Sequence, residues 1–423
     1  MNKTGRLLVL SGMAAALLVS CGTAKKGTGK NDGQNNVNKE MENIDSDFLV
    51  LTDSQRELLA KNNTFAVNLF NKVSGMDSRV ISPLSVTGLM TVLANGADGE
   101  TRREILNALG FNGASMDEIN ALYGYLIKKA GNLDPSTTVS VADYIAVNQK
   151  NRINDDFRST VGKWFGAEAV NLDFSSPKSA GVINGWCSKH TDGMIPEIID
   201  GVEPSAVAYL LNAIYFNGSW AEKFDAKDTK LERFRGYTRD IKKVKMMHRN
   251  DEYFHTSNKT YSAVRIPYGN GSFAMTVLLP NEGKSVSDLM KVVSAKEIAN
   301  LGRTMERRKV DLKLPRFSTE TEQPLNEVIA SLGAPSIFGD SADFSNLADG
   351  NIFVSKMFQK AKIEVSEQGT KAAAATAAIM TMSALAPDPQ PVEFHADRPF
   401  VYLISESATG AIYFLGQFTG SEI

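Results

Sequence analysis

A single α+β domain is the fold class this chain predicts, and three observations predict it. Apolar residues recur at helical spacing early in the chain, through Leu58, Leu59, Phe65, Ala66, Leu69 and Phe70. Later segments alternate like strands and are joined by tight turns, at Gly269-Asn270-Gly271 and at Thr409-Gly410. No linker and no repeat divides the stretch between them. Helices gather early and strands late, the segregated pattern of an α+β fold.

The bulk composition narrows the function classes. The 423 residues are 43% apolar and 22% charged, an ordinary globular balance with room for a large core. A net charge of −2 points to no nucleic-acid partner. Two cysteines, Cys21 and Cys187, exclude a disulfide framework. No pair among them and the four histidines has metal-ligand spacing, so no metal and no cofactor is expected.

Taken in order, the first segment reads as a targeting signal. Lys3 and Arg6 precede the short apolar run LLVLSGMAAALLVS, which ends at LVSC. That ending resembles the lipid-attachment motif of bacterial lipoproteins. The resemblance implies a signal peptide over residues 1–20 and lipidation of Cys21. Acyl chains on Cys21 imply anchoring to the bacterial envelope, at the outer membrane, on its periplasmic or its surface side. Residues 21–46, rich in Gly, Asn and Lys, read as a flexible tether. The globular domain spans 47–423.

Within it, a first helix runs through the periodic stretch to Val73. A short strand VIS leads to a helix begun by Ser82-Pro83, Pro suiting a first turn. Gly96 to Gly99 breaks it, and Glu100-Thr101 opens another that ends at Gly110. TVSVADYIAVNQ alternates as a strand, and SAGVINGWCSKH reads as a helix before a turn at Asp192-Gly193. AVAYLLNAIYFNGSW is a long apolar strand entering a Gly turn. The run KVDLKLPRFSTETEQP reads as one strand, followed by a helix ending at Gly333. A final hairpin closes the chain.

Catalytic signatures are missing. The sequence holds no H-E-x-x-H, no G-x-S-x-G and no dinucleotide-binding glycine pattern after a strand. Cys187 and His190 share GWCSKH, but catalytic pairs usually meet from distant positions, and a buried structural Cys on a helix is the reading adopted. The expectation is a binding protein rather than an enzyme.

One stretch calls for a separate explanation: EQGTKAAAATAAIMTMSALAPDPQP, from Glu367 to Pro391. Alanine favours helix, yet these alanines lie between β-like segments. The stretch resembles the hinge of a serpin reactive-centre loop. The rest of the body resembles that family in order: DSRVISPLS, GADGETRREIL, INGWCSKHTDGMI, LLNAIYFNGSWAEKF, LPRFSTETEQPLNEVIASLG, ADFSNL, DRPFVYLI and ATGAIYFLGQF. The resemblance implies the serpin fold, with three β-sheets, about nine helices and an exposed reactive-centre loop. It implies a suicide-substrate inhibitor: a serine or cysteine protease cuts the loop and is trapped as an acyl-enzyme while the loop enters the main sheet. A monomer is expected. The alternative is a non-inhibitory serpin-fold binding protein of the cell envelope.

The hinge residues suit that entry. Gly369 supplies backbone freedom. Beyond Glu367, residues Thr370, Ala372, Ala374 and Thr376 fall on one face at period two, all small and uncharged, while Lys371 falls on the other. No proline precedes Pro387, so each amide up to it is free to join a ladder. Counting from Gly369 with the family's spacing puts the scissile bond at Ser383-Ala384; Met382 and Leu385 are alternatives, and counting back from Phe394 gives Ala386. No Lys or Arg occurs between Lys371 and Arg398, which disfavours trypsin-like targets and suits elastase-, subtilisin- or papain-like ones. By motif, Ser82, Ser85 and Asn184 match the shutter beneath the main sheet, and Trp220 matches the top of the sheet where the hinge enters. Gln359 stands where the family often has His, which predicts a shutter without a pH switch.

Overall fold

The computed structural model describes residues 49–370 and 390–420, within a compact unit spanning 46–423. Cys21, Ala372, Ala374, Thr376, Met382, Ser383, Ala384 and Leu385 lie outside the described residues.

Nine α-helices occur among the described residues: α1 (Asp53–Val73), α2 (Pro83–Gly96), α3 (Gly99–Leu109), α4 (Met116–Ala130), α5 (Asp155–Phe165), α6 (Ser179–His190), α7 (Val286–Val292), α8 (Ala295–Thr304) and α9 (Asn326–Ser331). The strands are β1 (Arg79–Ile81), β2 (Thr137–Asn148), β3 (Glu168–Leu172), β4 (Ala208–Ser219), β5 (Lys230–Arg235), β6 (Ile241–Ser257), β7 (Tyr261–Tyr268), β8 (Phe273–Pro280), β9 (Glu306–Pro315), β10 (Phe317–Pro324), β11 (Lys356–Ser366), β12 (Gly369–Thr370), β13 (Val392–His395), β14 (Phe400–Glu406) and β15 (Ile412–Phe418).

Local chemistry explains the helix ends. Thr52 caps α1 through a reciprocal box with Gln55, and Ser115 caps α4 in the same way with Glu118. Ser82 caps α2 with Pro83 at its first position. Gly110 ends α3 at φ 81°, a conformation that costs glycine nothing. Helix α2 is buried all round except at Asn95, which makes it the central helix under both sheets.

The strands form one six-stranded sheet in the order β10-β11-β12-β4-β2-β3, and a nine-stranded one. The latter falls into two parts that share β6. One is β1-β15-β14-β8-β7, joined through residues Phe254–Ser257 of β6. In the other, β6 pairs with β5 and β9, and β13 adds to β9. Counted this way the described residues form three sheets. Phe216 of β4 sits between the six-stranded sheet and the first of these parts, with ring centroids 5.0 Å from Tyr268, 5.8 Å from Phe273 and 6.0 Å from Phe414.

Two elements differ from the sequence reading. The expected single strand over KVDLKLPRFSTETEQP is two, broken at Arg316, with β9 in one sheet and β10 in the other. Pro315 has no amide to continue a ladder, and the Arg316 amide donates to the Lys245 carbonyl instead, at 2.7 Å. Gly218 lies inside β4 rather than in a turn. A side chain there would meet the Phe216 and Tyr268 rings at 2.9 and 3.1 Å, so packing requires the glycine.

Phe216→Ala would open a cavity at the junction of the sheets. A loss of about 3–5 kcal/mol is expected, read as a lower midpoint of the first urea transition with the slope unchanged.

Candidate functional site

The site is the seam between β4 and β11, the two long strands flanking the root of the loop. They run parallel and pair from Lys356↔Tyr209 to Ala361↔Ile214. Above that their pairing stops, and β12 takes over. After β11 the chain reverses through Glu367 and Gln368, and Gly369–Thr370 pairs antiparallel with Ser366 and Val365 on one side. On its other side the same dipeptide pairs with Ser219 and Gly218 of β4. The loop therefore leaves the body as a strand already seated between its neighbours.

Several groups hold this root. Gly369 has φ 139°, and a Cβ there would lie 2.1 Å from the Gly218 carbonyl oxygen, so no other residue fits. The Trp220 indole N–H donates to the Ser366 carbonyl at 2.8 Å, and its backbone N–H donates to Gln368 O at 3.0 Å. The indole stacks on Tyr268 at 4.4 Å. The Glu367 carboxylate, 7% exposed, accepts from Thr229 Oγ1 at 2.8 Å and lies 3.5 Å from Arg316 Nε. Thr370 is fully buried, its hydroxyl 2.7 Å from that of Tyr268, so its side chain points into the core. The far root is moored as well. His395 of β13 and His248 of β6 both reach Asp311 of β9, at 2.8 and 2.5 Å, which ties a four-residue edge strand to its sheet. Their hydrogen bonds hold the Asp311 carboxyl below its ordinary range against the opposing effect of its burial.

Lower in the seam a line of polar groups crosses three strands. The Ser82 amide donates to Gln359 Oε1 at 2.8 Å, and Gln359 Nε2 donates to Ser82 O at 3.0 Å and to Asn212 Oδ1 at 2.8 Å. Asn212 Nδ2 in turn donates to Asp143 Oδ1 at 2.7 Å. Gln359 and Asn212 face each other across the seam, and Asn212 and Asp143 face each other across the β4–β2 pair. The Ser82 hydroxyl accepts from the Ser85 amide at 3.3 Å, while the buried Ser85 hydroxyl finds no partner.

One sequence expectation is corrected here. Asn184 is not in this network. It lies on α6, where its side chain accepts from the Ile198 and Ile199 amides and donates to the Ile199 carbonyl, pinning that segment. The seam amide is Asn212, and an Asn inside the apolar run YLLNAIYF was the available signal, since a buried amide demands partners. The line of polar groups that Gln359 joins ends in a carboxyl, Asp143. Gln359 does not titrate, but Asp143, 2% exposed, does. Burial pushes its carboxyl up to about 7, the Asn212 hydrogen bond opposing.

The Cys187–His190 pair makes no nucleophile. Burial pushes the Cys187 thiol up to about 12, and the His190 Nδ1 lies 2.9 Å from the Trp186 carbonyl.

The comparisons agree with this architecture. The family model described as Serpin (serine protease inhibitor) matches residues 60–420. The chain is similar to the leukocyte elastase inhibitor of Sus scrofa, 32% identical over 85% of this chain and 98% of that protein. It is similar to a serine protease inhibitor of Cyanea capillata, 31% identical over 85% of this chain and 97% of that one. Among solved structures it resembles the native state of the thermophilic serpin tengpin, with TM-score 0.80 and 26% identity over 88% of this chain and 95% of that one. These relatives are named as inhibitors and not as enzymes, and the chain belongs to the serpin family.

Proposed function

We propose that this chain is a suicide-substrate protease inhibitor. The observation that carries the reading is β12, two residues of the loop already hydrogen-bonded between β4 and β11. A target protease attacks the carbonyl of the bait residue, near Ser383 or its alternatives Met382 and Leu385. The peptide bond breaks, the new amino terminus at Ala384 or its neighbour departs, and the nucleophile is left esterified to the loop. The hinge then extends β12 downward between the strands, with the inward face continuing from Thr370 through Ala372, Ala374 and Thr376. Roughly a dozen ladder bonds at about 1 kcal/mol net each, with apolar burial added, supply a driving force on the order of 10 kcal/mol. The enzyme is displaced before water releases it. The starting state is then held by a barrier rather than by equilibrium. Elastase-, subtilisin- or papain-like enzymes are the proposed targets, because the bait lacks a cation. The proposal extends to residues 1–20 as a signal peptide and to a lipid on Cys21 that holds a monomer at the bacterial envelope.

Incubation of the chain from Asp47 with elastase, subtilisin, trypsin and papain is expected to give a covalent band on denaturing gels with elastase or subtilisin, and none with trypsin. Cleavage without a covalent band in every reaction would overturn inhibition. Ala374→Arg is expected to convert trapping into simple cleavage, since burying an unpaired charge costs several kcal/mol and so shifts the partition by at least about tenfold. Ala373→Arg, on the opposite face, is expected to leave the stoichiometry near that of the parent. Cys21→Ser is expected to move the full chain from the membrane to the soluble fraction of a bacterial host.

A further inference from the structure

The polar line across the seam ends in a carboxyl, and nothing in the trapping reaction uses it. Asp143 lies under the sheet on β2, with Oδ1 on the Asn212 amide and Oδ2 turned toward α2, where a Cβ on Gly88 would come within 3.6 Å of it. Helix α2 carries no ionisable side chain. From α4, Tyr123 donates to Asn62, and Lys128 reaches the Lys163 carbonyl at the surface. From β3, Glu168 turns to His190, 3.6 Å away. On β11, Lys360 and Lys362 project from the opposite face of the sheet to Glu320. Among the described residues no cation reaches the Asp143 carboxyl, and the Asn212 amide is what offsets its burial.

We infer that Asp143 is a positioning residue whose ionisation sets how readily the β4–β11 seam opens: the neutral acid keeps the seam closed, and the carboxylate loosens it. The inference takes from the preceding reading that β4 and β11 must part. Parting removes Gln359 from Asn212 and lets water reach the Asn212–Asp143 pair from the open side. A carboxylate gains far more from that water than a neutral acid does. The linkage has a definite sign. The closed seam holds Asp143 at about 7, and opening returns it toward the ordinary 3.8. Opening therefore binds fewer protons than the closed state does, and its equilibrium climbs with pH between those values and levels off above the upper one. Gln359 and Asn212 do not titrate, which leaves Asp143 as the group in the line that carries this response.

Hydrogen exchange of the seam amides in residues 209–214 and 356–361 tests this on the soluble full domain, after correction for intrinsic exchange. In the parent protein the opening constant is expected to rise at least about tenfold between roughly pH 5.5 and 7.5, one unit of pKa difference being worth a factor of ten, and then to plateau. In Asp143→Asn, a neutral isostere that keeps the acceptor for Asn212, it is expected to stay low and flat. Amides of the β6–β9 pair are expected to show no such rise in either protein. A flat parent profile, or a rise of the same size in Asp143→Asn, would overturn the inference. Carbon-13 titration of the Asp143 carboxyl in the parent is an independent check, and a midpoint near 4 would equally sink it. Neither readout involves a protease, so failure of trapping and failure of the seam titration are separate results.

Discussion

The parallel contact between β4 and β11 is the constraint on which the rest of the molecule depends. Both strands are buried on their inner faces, yet they pair over only six residues each, from Lys356↔Tyr209 to Ala361↔Ile214. Parallel pairing is slightly weaker per residue than antiparallel pairing. The long pairing on either side of it is antiparallel: β2 with β4 from Thr137↔Gly218 to Val147↔Ala208, and β10 with β11 over the whole of β10. The sheet is thus two firm ribbons joined by one short seam. Helix α2 lies beneath it, and α6 covers β2 and β4 from the other side, with Trp186 packed on Tyr144 at 4.8 Å. The seam is the short parallel join between the two ribbons, and β12 stands at its upper end.

Charge is arranged around that seam with a clear division. The outer face of β11 carries Lys360 and Lys362, half-buried, which pair with Glu320, Glu322 and Glu364. Such pairs add little to stability one at a time. On the inner face Gln359, Asn212 and Asp143 are bonded to one another across the strands. Breaking the seam therefore exchanges a few directed bonds in the interior, and the ion pairs between β10 and β11 travel together as part of one ribbon.

Much of this was legible in the residues. The period of α1, the Ser82-Pro83 start of α2 and the Gly110 stop of α3 are local signals, and the structure has each of them. The Gly269-Asn270-Gly271 hairpin is equally local. What escaped was set by tertiary neighbours. The break at Arg316 follows from the two sheets diverging, which no window of sequence records. Asn184 and Asn212 both sit in family-like motifs, and only the register of β4 against β11 distinguishes them. Asp143 looked like an ordinary polar residue in an alternating strand. Its importance comes from its burial beneath the sheet, beside α2 and against the Asn212 amide.

The position of the last hairpin has a consequence for how the molecule comes into being. Strands β14 and β15 fill the middle of their sheet, with β8 on one side and β1 on the other, and β1 pairs Arg79 with Gln417. The start and finish of the globular chain are thus hydrogen-bonded to each other, and the sheet cannot close until the final residues have been made. Contacts so distant along the chain are slow to form. During synthesis the loop and both of its roots emerge before the centre of that sheet exists. The order in which the chain leaves the ribosome therefore separates the completion of the two sheets in time.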